Sequence, residues 1–180
     1  MNTIMEMVDR IRDTSESHDR CTVIEVMGRR AGYLALNAGI AVGATSILIP
    51  EIEFDIQKDV IERMKRTQQT DKKHFLILVA EGLGIDVEEL AEEIQAKTGV
   101  ESRSCVLGHV QRGGSPTARD RVLATQMGNY AVKNLLMKGI GNRVVAIHND
   151  KIVDYDIFEA LNMEKHLDPE LYQIAMEVSI

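Results

Sequence analysis

Tryptophan is absent from the 180 residues, and there are only three phenylalanines and four tyrosines. A core built from this chain must therefore draw on isoleucine, valine, leucine, methionine and alanine. Cysteine is scarce as well. Cys21 and Cys105 each fall inside an apolar run that reads as a strand. Such residues are usually small buried core groups, and no disulfide framework is expected without a secretory signal. No apolar stretch reaches the ~18 residues that a membrane-spanning helix requires, so no span is expected. Basic residues are in deficit, 21 against 28 acidic, for a formal net charge of -7. A general nucleic-acid coat, which needs a basic excess, is excluded; a local basic pocket for a phosphorylated metabolite is not. Residues 1–12 are amphipathic and mixed in charge, which reads as a helix rather than a targeting peptide.

What is present describes a globular domain of ordinary size, with 44% hydrophobic and 27% charged residues. Short β-rich runs alternate with longer helical ones. Strands are expected at residues 21–27 (CTVIEVM), 46–50 (SILIP), 74–80 (HFLILVA), 101–107 and 143–148. Helices are expected at residues 30–42, 54–69, 86–98 and 117–138, with two short ones at 157–163 and 169–176. Asp86 followed by Glu89 has the spacing of a capping box, and Gly99 is placed to stop that helix. Asn149 and Asp150 read as a tight turn, from which residues 151–155 return as a hairpin. Continuous apolar strands separated by helices imply an α/β fold with a mainly parallel sheet covered on both faces. There is no internal repeat or low-complexity tract, and loop composition changes sharply near residues 113–117.

In open α/β sheets ligands gather beyond the C-terminal ends of the strands. The first strand ends in Met27, Gly28 and Arg29, where Gly28 permits close backbone approach. The following helix is expected to begin at once, offering free N–H groups to an anion. The third strand ends in Glu81 and Gly82. The fourth runs into a Gly- and Pro-containing loop that carries His109 and Arg112. An arginine, a carboxylate and a His/Arg pair therefore reach one rim. Arginine grips phosphate oxygens bidentately, and a carboxylate accepts hydrogen bonds from hydroxyls. Residue types and spacing alone lead as far as a phosphate-bearing small molecule.

Three segments go further. Residues 12–20 (RDTSESHDR), 25–29 (EVMGR) and 106–116 (VLGHVQRGGSP) resemble the bacterial-type, ATP-dependent 6-phosphofructokinase family in order and spacing. Residues 47–51 and 72–81 match in character, and the resemblance extends along essentially the whole chain. It implies a phosphofructokinase-like α/β fold and a role in glycolytic phosphorylation of fructose 6-phosphate to fructose 1,6-bisphosphate. By the resemblance, Met27, Gly28 and Arg29 contact fructose 6-phosphate, and Arg29 also acts catalytically by neutralising charge on the transferred phosphoryl group. Glu81 holds sugar hydroxyls, and His109 and Arg112 bind the 6-phosphate side. Arg20 and Arg103 reach into the site of a neighbouring subunit, in an enzyme that is usually a cytoplasmic homotetramer.

The resemblance also assigns Arg12, Lys72, Lys73 and His74 to an allosteric site for ADP or phosphoenolpyruvate. Gly43 falls where a backbone carbonyl lies near effector-bound magnesium. From the residues alone, a KKH run ahead of a buried strand is a solvated strand entrance. Two positions depart from the family pattern. Thr45 stands where members often have a glutamate that helps bind that magnesium, and Thr70 replaces an often basic residue. Both put ordinary ADP activation in doubt.

The family's reaction needs ATP, Mg2+, a glycine-rich phosphate loop and an aspartate general base. This sequence has no GGDGS-like or TIDND-like segment to supply them, and no set of metal ligands is read from it. The chain is therefore expected to supply substrate and effector binding through residues 1–112. Residues 113–180 are expected to pack back on a nucleotide-binding part not found in this sequence, with apolar residues of 117–153 left uncovered. Alone, the chain is expected to have no kinase activity. Two readings stay open: part of such an enzyme, or a free-standing module that senses sugar phosphate or nucleotide without catalysis. The phosphoryl donor, ATP or pyrophosphate, stays open too.

Overall fold

A computed structural model describes residues 1–70, 72, 74–164 and 166–178. The chain forms two compact units, Met1–Gly113 with the C-terminal stretch from Leu167, and Gly114–His166.

The first unit is built on four parallel strands in the order β2-β3-β1-β4: β1 (Cys21–Val26), β2 (Ser46–Leu48), β3 (Phe75–Ala80) and β4 (Ser102–Val106). The central pair is in register from Cys21 opposite Phe75 to Val26 opposite Ala80. All six residues of β3 are buried, as an unbroken apolar run implies. Successive side chains point to opposite faces, and the two faces feed two clusters. Ile24, Val26, Leu76 and Leu78 pack with Ile4 and Val8 of α1 (Asn2–Ser17), Leu36 of α2 (Tyr33–Ala41) and Ala175 of α7 (Pro169–Val178). Cys21, Val23, Phe75 and Ile77 pack with Met64 of α3 (Glu62–Thr67) and with Leu90 and Ile94 of α4 (Val87–Thr98). The result is an α/β fold with helices on both faces of a parallel sheet.

Local signals account for the ends. Asp86 caps α4, its Oδ1 accepting the N–H groups of Glu88 and Glu89 at 2.9 and 3.2 Å, and Gly99 stops it at φ 75°. The expected helix at 54–69 opens with a wide π-type turn, Ile56–Ile61, before α3. The fourth strand departs from a doubly covered apolar strand. β4 lies at the sheet edge, with Arg103, Ser104 and Val106 exposed. The C-terminal helix departs as well from the expected 113–180 grouping, because Leu171, Tyr172 and Met176 of α7 pack on the first unit's core.

In the second unit α5 (Ala118–Tyr130) starts from a reciprocal capping box between Thr117 and Asp120. Its helical path continues less regularly to Lys138 and ends at Gly139, φ 69°. β5 (Arg143–His148) and β6 (Lys151–Asp156) form an antiparallel hairpin, followed by α6 (Ile157–Leu161). Asn149 and Asp150 both have positive φ, 49° and 59°, as a tight primed turn requires. Tyr130 Oη donates to Asp154 Oδ1 at 2.5 Å, and Arg143 Nε donates to Asp154 Oδ2 at 2.6 Å, so α5 is tied to the hairpin. Among the described residues of this unit only Leu135 is buried, while Phe158 and Leu161 are 70% and 75% exposed.

Candidate functional site

The rim beyond the C-terminal ends of β1, β3 and β4 brings together residues from three elements. Glu81 follows β3 directly. Its Oε1 accepts the N–H groups of Gly28 and Arg29, at 3.0 and 2.5 Å. These two bonds hold its carboxyl below the usual glutamate range, and Arg112 and Arg29 add to the effect. Arg112 closes a short 3-10 turn, Gly108–Arg112, that follows β4. Gln111 ties that turn back to β1: its Oε1 accepts the N–H of Met27 at 3.2 Å and its Nε2 donates to the Gly108 carbonyl at 3.2 Å.

Met27, Gly28, Arg29, Glu81 and Arg112 are thus joined by bonds or by charge. His109 stands exposed on the same turn as Arg112. The backbone crosses very closely here. A Cβ on Gly82 would lie 2.2 Å from the Arg29 carbonyl oxygen, and one on Gly28 would lie 2.3 Å from that of Ala31. Arg29 itself has φ 55°, the left-handed conformation that a side chain rarely adopts.

The expected start of the following helix is corrected. The helix does not begin at once: α2 starts at Tyr33. Before it, Met27 donates to Gln111, Gly28 and Arg29 to Glu81, Ala31 to the Gly28 carbonyl, and Gly32 to Glu51. Five of the six backbone donors in residues 27–32 are thus taken up inside the chain.

Arg20 and Arg103 sit elsewhere. Arg20 precedes β1 and Arg103 is in register with Thr22, so both lie near the N-terminal ends of the strands, roughly 20 Å along the sheet from Gly28. They share one carboxylate, Glu101, at 2.9 and 2.7 Å, and their two bonds hold it below its usual range. Both line a groove of about 420 Å³ with Arg10, Cys105 and an apolar floor that includes Met7, Ile11 and Leu107. Cys105 is accordingly half-buried, whereas Cys21 lies in the core; both thiols are free.

A second basic group gathers around Arg12, Lys72 and His74. Burial pushes Lys72 and His74 down from their ordinary values, and the Arg12 charge pushes both the same way. Arg12 also donates to the carbonyl of Val42, next to Gly43 at φ 63°. Lys73 lies outside the described residues. Arg63 belongs to this group and was not foreseen. Its Nε donates to the Thr45 carbonyl at 3.1 Å and its Nη2 to that of Met176 at 2.8 Å. The available signal was its place on the inward stripe of Val60, Met64 and Thr67, at i+3 from Val60. Thr45 is fully buried, and the Thr70 hydroxyl is turned to the Thr67 carbonyl at 2.7 Å. Among the described residues no three His, Cys, Asp or Glu side chains converge to hold a metal ion.

Comparison with known proteins agrees with this architecture. The family model described as "PFK: Phosphofructokinase" matches residues 1–135. The ATP-dependent 6-phosphofructokinase of Bacillus velezensis is 53% identical over 180 residues, which is 100% of this chain and 56% of that protein. The protein of the same description from Bacillus subtilis is 51% identical over 180 residues, again 100% of this chain and 56% of its own length. The chain therefore spans about half the length of these relatives. A solved structure of phosphofructokinase from Saccharomyces cerevisiae aligns with a TM-score of 0.78 and 37% identity, covering 88% of this chain and 23% of that one. Phosphofructokinase from Pichia pastoris in the T-state aligns with a TM-score of 0.77 and 33% identity, covering 98% and 22%. A match of this extent, together with a parallel sheet whose strand ends carry Gly28-Arg29, Glu81 and Arg112, leads to one assignment: the chain belongs to the phosphofructokinase family.

Proposed function

We propose that this chain supplies the sugar-phosphate-binding part of a 6-phosphofructokinase, which transfers the γ-phosphoryl group of ATP to the 1-hydroxyl of fructose 6-phosphate. The observation that carries this reading is the Glu81 carboxylate, fixed through Oε1 to the Gly28 and Arg29 amides and placed beside Arg112. Neither of those bonds uses Oε2, which is left to accept a sugar hydroxyl. Phosphate recognition is assigned to side chains: Arg112 and His109 on the 6-phosphate side, and Arg29 on the transferred phosphoryl group. Met27 and Gly28 form the wall against the sugar.

Arg20 and Arg103 complete the phosphate pocket of a neighbouring copy, in keeping with their place at the opposite end of the strands and on an exposed groove. This requires a homo-oligomer, a tetramer in our reading, working in the cytoplasm. Arg12, Lys72, Lys73 and His74, with the Gly43 carbonyl, form an effector site for the anionic groups of ADP or phosphoenolpyruvate. A site with no acidic side chain at Thr45 favours the metal-free anion, phosphoenolpyruvate.

ATP and Mg2+ serve the complete reaction. The second unit, with one buried residue among those described, packs on a nucleotide-binding part, and the chain by itself has no kinase activity.

Isothermal titration of the chain with fructose 6-phosphate, beside unphosphorylated fructose, tests the reading. Binding of the phosphorylated sugar alone, weakened about tenfold or more in Arg112→Ala, is expected. Equal binding of fructose, or none of either at millimolar concentration, overturns it. ATP-dependent phosphorylation of fructose 6-phosphate by the chain alone would contradict the part assigned to it.

A further inference from the structure

The loop from Met27 to Gly32 is held at two places by carboxylates from different strands. Glu81, after β3, takes the amides of Gly28 and Arg29. Glu51, three residues after β2, takes the amide of Gly32 with both oxygens, at 2.8 and 3.0 Å. Gly32 is the N-terminal cap of α2, and its carbonyl already accepts the Leu36 N–H at 2.8 Å. A glycine has no side chain with which to cap a helix, so the negative group that the helix start favours comes from Glu51. The fit leaves no slack. A Cβ at Gly32 would lie 2.4 Å from Ile49 Cβ and 2.7 Å from Glu51 Oε2. Arg29, whose own amide is held by Glu81, stands three residues before the Gly32 anchor in its left-handed conformation. A residue held at φ 55° relaxes unless its neighbours are fixed on both sides.

We propose that Glu51 is a positioning residue for the sugar-phosphate site. It touches no substrate. It fixes the far end of the 27–32 loop, so that the strained Arg29 backbone keeps its side chain aimed at the rim shared with Glu81 and Arg112. Glu81 alone restrains only the start of the loop; without Glu51 the Gly32 end swings, and Arg29 spends less time in the binding pose. The cost appears in ligand affinity, because a site populated for a fraction of the time binds more weakly by that fraction. This inference rests on the fructose 6-phosphate reading above.

The test compares the chain with Glu51→Ala, Glu51→Gln and a destabilised control away from the site, Ile94→Val in α4. Each is titrated with fructose 6-phosphate, and amide hydrogen exchange is followed at Gly28, Arg29 and Gly32. Glu51→Ala is expected to weaken binding about tenfold and to speed exchange at Arg29 as well as Gly32. Glu51→Gln keeps an acceptor at the same reach and is expected to recover most of the affinity; if the alanine variant does not fold, Glu51→Met, which keeps the reach without a carboxylate, takes its place. The control is expected to lose stability without losing affinity. Unchanged affinity in both Glu51 variants overturns the proposal, as does an equal loss of affinity in Ile94→Val, which would make the effect one of stability alone. Failure of the unsubstituted chain to bind is distinguishable from either: it removes the sugar-phosphate reading, and the positioning role with it.

Discussion

The carbonyl oxygen of Arg29 occupies the space where a side chain on Gly82 would begin, 2.2 Å from the ideal Cβ position. The loop after β1 and the turn after β3 are therefore in backbone contact, and the two site residues beside that contact, Arg29 and Glu81, are also hydrogen-bonded. Packing and chemistry at this rim cannot be changed independently.

Gly82→Ala is the direct probe of that contact. The obstacle is backbone, with Arg30 Cα a further 3.1 Å neighbour, so nothing flexible can yield. A loss of about 1–3 kcal/mol in unfolding free energy is expected from overpacking of this kind. Chemical denaturation should register it as a lower midpoint with an unchanged slope. Weakened fructose 6-phosphate binding should accompany it, since the Arg29 carbonyl must move. A variant as stable and as tight-binding as the parent would mean that the two loops separate freely.

Glu81 makes the site sensitive to acid. Its carboxyl is held below the ordinary glutamate range by the Gly28 and Arg29 amides, so the folded state binds this proton less readily than the unfolded chain does. The stability it contributes is complete above the unfolded value and is lost as pH falls through the lower folded one. Thermal unfolding followed from pH 7 to pH 3 should show a steeper decline for the parent than for Glu81→Gln, which has no proton to gain. At neutral pH the glutamine variant should bind fructose 6-phosphate about tenfold more weakly, having lost the charge that strengthens both amide bonds. Parallel pH profiles for the two proteins would contradict this role.

The two thiols should differ sharply. Burial in the core pushes Cys21 up to about 12, which leaves almost no thiolate at pH 8. Cys105 is also raised by burial, but it lines the groove together with Arg20 and Arg103 and is within a reagent's reach. A thiol-specific disulfide reagent should label one site per native chain, slowly, and two per chain in denaturant. Cys105→Ser should abolish the native labelling and Cys21→Ser should leave it unchanged. Two equally fast thiols in the native chain would show that β1 is not closed over.

Much of this protein was determined by short stretches of sequence acting on their own. The β-rich runs became β1 and β3, Asp86 and Gly99 bounded α4, and Asn149-Asp150 turned the hairpin. Each depends on apolar periodicity, a cap or a turn conformation, forces that operate within a few residues. The placing of Gly28-Arg29, Glu81 and Arg112 on one rim was also legible, because it follows from strands running parallel. Tertiary structure decided the rest. It set β4 at the edge, returned α7 to the first core, and paired Arg20 and Arg103 on Glu101 at the far end of the strands. It also joined amides of the 27–32 loop to Gln111, Glu81 and Glu51. Those bonds join residues 19 to 84 positions apart. No local spacing encodes them, because they exist only once the strand order has brought the loop ends together.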